Sequence, residues 1–170
     1  LVQQRNLIDF SAKMNLLAYA TGDYLDHLGA LLGVTRLTAS QASCNVLFTL
    51  SDSLAFDVVI PEGTRITPDG NIYFDTVCDI TISAGNTSGT VQALCESPGI
   101  VGNDFLPGQI AKLVDPFPYE MSVTNTDTSS GGDDSESDEA FRERIHIAPE
   151  SFTNAGSVKG YEFFALSADP

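Results

Sequence analysis

The chain has 170 residues, of which 42% are hydrophobic, and its 23 Asp and Glu against 8 Lys and Arg give a formal net charge of −15. This length and composition predict one main domain with a sizeable core. The negative charge repels phosphate backbones and anionic lipid, and no apolar run approaches the roughly 20 residues that span a bilayer. We therefore expect a soluble protein with no nucleic-acid partner and no membrane insertion.

The three cysteines, Cys44, Cys78 and Cys95, are odd in number, lie far apart and fall in apolar or alternating stretches. A free thiol in such a stretch behaves as a small core residue, so we expect structural thiols rather than a disulfide or a metal site. No secretory signal is visible, and the first residue is Leu1 rather than Met. The chain is therefore expected to be a fragment of a longer protein.

Residues 1–36 are predicted to form an N-terminal helical arm. Apolar side chains recur there every three or four positions, at Leu7, Phe10, Met14, Leu17, Leu25, Leu28 and Leu32. Gly22 and Asp23 divide the arm into two helices, with Asp23 as the predicted N-cap of the second helix and Gly33 as the glycine that ends it. The apolar stripe either packs on the core of its own domain or projects to grip another subunit.

Residues 37–125 are predicted to form a central β module. Apolar and polar side chains alternate from Ser43 to Leu50, as in a half-buried strand. Further short strands are predicted at Phe56–Ile60, through Ile66, through Ile72 and Phe74, at Val77–Ser83, at Thr90–Cys95 and through Met121 and Val123. Type I turns are predicted at residues 60–63 and 67–70, where Pro and Gly occupy suitable positions. The fold class is α+β, with a mainly antiparallel β-sandwich or barrel-like module.

Residues 126–170 are predicted to form an acidic loop followed by short helices. The stretch Thr126–Asp134 has no apolar side chain, which predicts an exposed loop. A helix is predicted to begin near Ser137, with Ser135 or Ser137 as its N-cap, and to stop before Pro149. Phe141 and Ile145 are predicted to lie on its apolar face. Arg142 is predicted to form ion pairs with Asp138 and with Glu139.

The chain is polar from Pro149 to Ser157, and a final short helix is predicted to follow and to end near Asp169. It contains three aromatic residues, Tyr161, Phe163 and Phe164. Three aromatic side chains are too many for a free tail, so they either close the core or meet a partner or a missing continuation of the chain.

No catalytic, cofactor or metal site is predicted. The carboxylates between Asp133 and Glu139 invite a calcium loop, but the twelfth residue counted from Asp133 is Arg144 rather than Glu, so we interpret them as a solvated loop and helix cap. His27 and His146 are the only histidines, and neither lies in a nucleophile or zinc motif; His146 is expected to be a partly buried helix residue. Gly99–Gly102 has no basic residue near it, so a phosphate cradle is not expected.

Several segments read together resemble the baseplate J-like family of contractile-tailed bacteriophages. They are residues 22–36, 60–76, 102–110, 128–145 and 155–165, and their order and spacing also match. The most specific part is the run that contains Gly-Gly-Asp, Glu-Ser-Asp-Glu and Arg-x-Arg.

The resemblance implies a Mu-like baseplate wedge protein, which is a structural component of a phage, prophage or contractile injection device. It implies contacts with other wedge and hub proteins, self-association in a ring, assembly in the bacterial cytoplasm and a final location in the tail baseplate of the virion. It also implies no catalytic residues and a chain that continues beyond Pro170.

Two other classes remain open on the sequence alone. A non-enzymatic β-sandwich adhesin or carbohydrate-binding module would need a concave patch of aromatic side chains, yet Trp is absent and the Tyr residues are scattered. A tail-associated glycosidase would need two carboxylates that face each other across a cleft.

Overall fold

The computed structural model describes residues 2–152 and 158–168, and the chain divides into two compact units. We call Leu1–Thr38 together with Ser135–Pro170 the helical unit, and Ala39–Asp134 the β unit. The β unit is therefore inserted between two halves of the helical unit. The polar connection predicted just before Ser157 lies outside the described residues.

The described part of the helical unit contains helices from both ends of the chain. They are α1 (Val2–Met14), α2 (Asp23–Leu31), α3 (Asp138–Ile147) and α4 (Val158–Leu166), and a short 3-10 turn, Ala148–Phe152, follows α3. The predicted N-cap of α3 is confirmed at Ser137, whose hydroxyl accepts a hydrogen bond from the N–H of Ala140 at 3.2 Å. The α-helix ends at Ile147, before Pro149, as expected, and Pro149 lies in the 3-10 turn.

The entry into α2 corrects one prediction. Gly22 is the N-cap, with φ of 53° and no side-chain cap, so Asp23 is the first helical residue instead. Only glycine adopts such a backbone without strain, so the N-cap position is occupied by Gly22 and not by Asp23. The predicted end is confirmed: Gly33 has φ of 72°, and Val34 N–H donates to Gly29 O at 3.0 Å.

The core of the helical unit joins residues that are far apart in sequence. Its buried members are Ala20, Leu25, Val34, Phe141, Ile145 and Ala148. Gly29 lets α2 approach α3 closely, because a Cβ at this position would lie 2.6 Å from Phe141 Cζ and 2.8 Å from Val34 O. A glycine that costs helix propensity is thus required by packing.

The β unit is built from eight short strands. They are β1 (Ser43–Leu50), β2 (Val58–Ile60), β3 (Arg65–Thr67), β4 (Phe74–Thr76), β5 (Ile80–Ile82), β6 (Ser88–Cys95), β7 (Lys112–Leu113) and β8 (Met121–Asn125). Six form one antiparallel sheet in the order β7-β3-β4-β6-β1-β8, and β2 pairs with β5. The alternation predicted for β1 is confirmed, since Cys44, Val46, Phe48 and Leu50 are all buried.

Asn125 brings the two edges of the sheet together, so that the sheet is nearly closed into a barrel. Its backbone N–H donates to Ile110 O at 3.2 Å, and its carbonyl accepts from Gly108 N–H at 3.0 Å. Its buried side chain accepts from Ile110 N–H at 2.9 Å and donates to Phe105 O at 3.2 Å. Of the two architectures left open by the sequence, the barrel-like one is present.

Some predicted boundaries are too wide. β2, β4 and β5 have three residues each, and Phe56, Ile72 and Val77 lie outside them because the chain turns there. Cys44 and Cys95 are buried as expected, and burial raises the pKa of Cys44 to about 12. Cys78 is exposed, because it lies in the turn between β4 and β5, so its predicted place in the core is wrong.

The segment Thr126–Asp134 is a mostly exposed loop, as predicted, and it is hydrogen-bonded to the rest of the β unit. Ser130 and Ser43 exchange two backbone hydrogen bonds of 2.8 and 3.1 Å. Ser129 is fully buried, and its hydroxyl donates to Gly102 O at 2.6 Å. A segment without apolar side chains is thus held by hydrogen bonds rather than by apolar packing, and composition alone does not predict such bonds.

We predict that Gly29→Ala lowers the free energy of unfolding, although alanine at an exposed helix position normally gains about 1 kcal/mol over glycine. The added methyl group overpacks the contact with Phe141 and should cost about 1–3 kcal/mol. Urea denaturation measures this change, with Ala30→Gly at the exposed neighbouring position as the control for propensity. A more stable Gly29→Ala variant would contradict the close contact.

Candidate functional site

The chain crosses between the two units twice, and within each unit the two crossing segments run side by side. In the helical unit, Glu136 N–H donates to Leu37 O at 3.0 Å, and Leu37 N–H donates to Glu136 Oε2 at 3.1 Å. In the β unit, Ser40 N–H donates to Asp133 O at 2.9 Å, and Asp133 N–H donates to Ser40 Oγ at 2.9 Å. Each unit therefore fixes the segments by which the chain enters and leaves it.

A buried ion pair lies at the helical-unit end of this crossing. Arg144 Nη2 lies 2.7 Å from Glu136 Oε2, and Arg144 Nε donates to Glu136 Oε1 at 2.9 Å. The side chains are only 5% and 3% exposed, respectively. Arg144 also donates to Thr35 O, so it binds the N-terminal half of the unit directly. A two-pronged bond of this kind fixes direction as well as distance.

Arg36 makes a second connection between the halves. Its guanidinium lies 2.8 Å from Asp26 Oδ1 and 2.7 Å from Asp138 Oδ1, and it donates to Glu136 O at 2.8 Å. The guanidinium carbons of Arg36 and Arg144 lie 4.8 and 5.3 Å from the ring centroid of Phe141. We call Arg36, Glu136, Asp138, Phe141 and Arg144 the arginine cluster.

Arg142 has a different role from the one predicted. It donates to Leu17 O at 2.9 Å and to Ala20 O at 2.8 Å, which satisfies carbonyl groups in the turn between α1 and α2. The predicted pair with Glu139 is present at 3.8 Å. The predicted pair of Arg142 with Asp138 is replaced, because the carboxylate of Asp138 is bound by Arg36.

The carboxylates considered for calcium are mostly bound to protein groups. Asp134 Oδ1 accepts from Ile100 N–H at 3.1 Å, and Glu136 and Asp138 belong to the arginine cluster. Within residues 2–152 and 158–168, no group of three or more His, Cys, Asp or Glu side chains is placed to hold a metal ion. His27 and His146 are both exposed, so the partial burial expected for His146 is wrong.

The sequence contains a signal for the arginine cluster. Arg144 follows Phe141 by three residues and precedes Ile145, so it lies on the apolar face of α3. A charged residue on such a face requires a partner, and Glu136 is the acid that reaches it. The sequence could not show that Arg36 completes the cluster or that Arg144 also binds Thr35. Both residues precede α3 by more than 90 positions, with the whole β unit between them in the chain.

The helical unit also presents apolar side chains to solvent. Every residue of α1 except Met14 is exposed, including Leu7 and Phe10 at 68% and 51%. Leu7 and Phe10 line a groove of about 410 Å³ together with Gln3 and Asn6. None of the helices in the described part of the chain is both long and apolar enough to cross a membrane.

The aromatic residues of α4 differ in their packing. Phe163 packs against the core of the helical unit. Tyr161 and Phe164 are 70% and 61% exposed.

One chain in a solved baseplate structure shares this fold. A chain in the cryo-EM structure of the anti-feeding prophage (AFP) baseplate, 6-fold symmetrised, superimposes with a TM-score of 0.51 at 14% sequence identity. The match covers 84% of this chain and 46% of that chain. The fold is therefore of a class found in baseplate subunits.

Sequence comparisons define the family. Residues 45–132 match the Baseplate J-like protein barrel domain, and residues 2–43 match the Baseplate J-like N-terminal domain. The chain is 30% identical over 125 residues to the phage-like element PBSX protein XkdT of Bacillus subtilis (strain 168), covering 74% of this chain and 31% of that protein. The chain belongs to the Baseplate J-like family of structural proteins in phage and prophage-derived baseplates, which confirms the resemblance seen in the sequence.

We predict that Glu136→Gln lowers the free energy of unfolding by about 3 kcal/mol, because Arg144 would remain buried without a charged partner. Glu139→Gln is the matched control, since the Glu139 side chain is 84% exposed and its pair with Arg142 is loose. Chemical denaturation of both variants makes the comparison. Equal effects of the two substitutions would show that the buried pair is not a main source of stability.

The pH dependence of stability should depend on Asp138. The N–H of Gly22, and then Arg36, hold the pKa of this carboxyl below its usual 3.8. A lowered pKa in the folded state adds stability above pH 3.8 that is lost as the pH falls through the folded pKa. Asp138→Asn should therefore lower the melting temperature at neutral pH, and the difference from the parent chain should shrink as the pH falls below 3.8.

Thermal melts of the parent chain and of Asp138→Asn across this range measure the difference. Asp23→Asn, an acid in the first turn of α2, is the control. A deficit of Asp138→Asn that stays constant to the lowest pH would contradict the assignment.

Proposed function

We propose that this chain is the part of a baseplate wedge protein that binds neighbouring subunits, and that it acts without catalysis. Membership of a structural family supports a role in assembly. The chain spans only 31% of the length of XkdT and 46% of the AFP baseplate chain, so the partners and activities of a whole protein belong to this proposal.

The observation that carries the proposal is the exposed apolar face of α1. Gln3, Leu7, Phe10 and Met14 share one side of the helix, because they are spaced by three or four residues. Met14 is buried by its own unit, whereas Leu7 is 68% exposed, and Phe10 stays 51% exposed although its ring contacts Tyr24 edge-on at 6.1 Å. Burying a side chain such as Leu or Phe is worth about 1.5–3 kcal/mol, so a helix of a neighbouring baseplate protein would gain by covering this face.

The proposed partners are other wedge and hub proteins, together with further copies of this protein in a ring. The sixfold symmetry in the name of the AFP baseplate structure supports a ring. The net charge of −15 supports assembly in the host cytoplasm without capture by nucleic acid or by anionic membranes. The final location would be the baseplate of the particle.

We predict that Leu7→Glu in the longer protein abolishes or strongly reduces co-purification of baseplate partners. A carboxylate placed on the apolar face would have to be desolvated when the partner docks. Ile8→Glu is the matched control, because Ile8 is 70% exposed but lies on another side of α1. A tagged protein is purified from cells that express the tail cluster, and its partners are identified by mass spectrometry.

Both substitutions lie at exposed positions, so the melting temperature of the 170-residue chain should not change, and this measurement excludes misfolding. Full retention of partners by Leu7→Glu, or an equal loss with Ile8→Glu, would overturn the role of this face.

A further inference from the structure

The β unit has an aromatic groove at the end of β1 that contains Leu50. Two adjoining hollows of about 650 and 300 Å³ share Ser51, Tyr119 and Glu120 in their walls. The larger one extends to Phe117 and the smaller one to Asp52. We call this pair of hollows the aromatic groove.

The wall of the groove is a stiff loop between β7 and β8. The loop is held at its start by Val114 N–H, which donates to Arg65 O at 3.0 Å, and at its end by Glu120 O, which accepts from Ser51 N–H at 3.1 Å. Pro116 and Pro118 lie between these two bonds, and each restricts the backbone. A partner would therefore meet a surface that is already shaped, which lowers the entropic cost of binding.

Aromatic rings are exposed beside the groove. Phe56 and Tyr119 are in contact with ring centroids 5.8 Å apart, and they are 51% and 36% exposed. An exposed aromatic face attracts a cation by about 0.5–1 kcal/mol, and arginine stacks on it especially well.

The charged residues that line the groove are all acidic. Glu120 lines both hollows and Asp52 lines the smaller one, while no Lys or Arg occurs among the described residues that line either. The β unit as a whole has 13 Asp and Glu against Arg65 and Lys112. Arg65 is itself engaged by Asp115 at 3.4 Å. The groove therefore offers aromatic faces and carboxylates with no internal cation to neutralise them.

We propose that the aromatic groove is a docking site for an arginine- or lysine-bearing segment of a neighbouring protein. The guanidinium or ammonium groups would lie near the carboxylates of Asp52 and Glu120 and on the ring faces of Tyr119 and Phe56. The alkyl chains of the same side chains would pack on Phe117. A neutral glycan would also find aromatic faces, but it would gain nothing from the field of 13 carboxylates. The identity of the neighbour as a baseplate protein rests on the function proposed above.

The test uses the 170-residue chain labelled for NMR and the blocked peptide acetyl-Gly-Arg-Gly-Arg-Gly-amide. Amide signals of residues 51–56 and 113–122 should shift on titration, and added salt should weaken the binding. The matching peptide with Gln in place of Arg should leave these signals unchanged.

Variants separate the groove from the general negative charge. Asp52→Asn with Glu120→Gln should weaken binding about fivefold, given about 0.5 kcal/mol for each exposed ion pair. Tyr119→Leu should weaken it about threefold. Asp104→Asn with Asp133→Asn changes the net charge equally at exposed positions near the Ser43 end of β1, and should change the affinity less than twofold.

Four results would overturn the groove proposal. The shifts could spread over the acidic surface without concentrating at the groove, or the two double variants could weaken binding equally. Chitohexaose could also shift the groove signals where the arginine peptide does not, which would indicate a glycan site. Absence of any peptide-induced shift, while baseplate proteins still co-purify with the longer protein, would overturn the groove alone. Absence of baseplate proteins from the purified, unsubstituted longer protein would overturn the proposed function.

Discussion

The buried pair of Glu136 and Arg144 is the interaction on which the helical unit depends. Its two halves, separated in sequence by the whole β unit, meet where Arg144 binds both Glu136 and Thr35. Two buried charges repay their desolvation only when the geometry is good and the remaining polar groups are satisfied. Here the carboxylate of Glu136 also accepts from Leu37 N–H, so the pair selects one pairing of the crossing segments as well as contributing stability.

Insertion of the β unit follows from this arrangement. The crossing segments are hydrogen-bonded to each other within each unit, and the helical unit has a hydrophobic core of its own. The chain can therefore include the β unit between the two halves of the helical unit. The barrel is closed by polar groups, above all by Asn125, and ordered at one end by the serine-rich segment that includes Ser129. Apolar surface remains exposed on α1, which is the face that we propose binds a neighbouring subunit.

Much of this fold could be predicted from the sequence, because local patterns determine it. The alternation in β1, the serine cap of α3 and the glycine after α2 depend on neighbouring residues alone. The cap of α2 and the partner of Asp138 were predicted incorrectly, and the hydrogen bonds of residues 126–134 were not predicted, because each depends on a distant group or on a special backbone angle. The aromatic groove was also out of reach, since Phe56 and Tyr119 meet only after the barrel forms.

Hydrogen exchange on the 170-residue chain tests most directly whether the two halves of the helical unit are held as one. We expect the amide protons of Leu37 and Glu136 to be protected as strongly as those in the middle of α3, because all of them would open only when the halves separate. Exchange of Leu37 and Glu136 at the rate of exposed turns, with α3 still protected, would show that the halves are not joined through this pair.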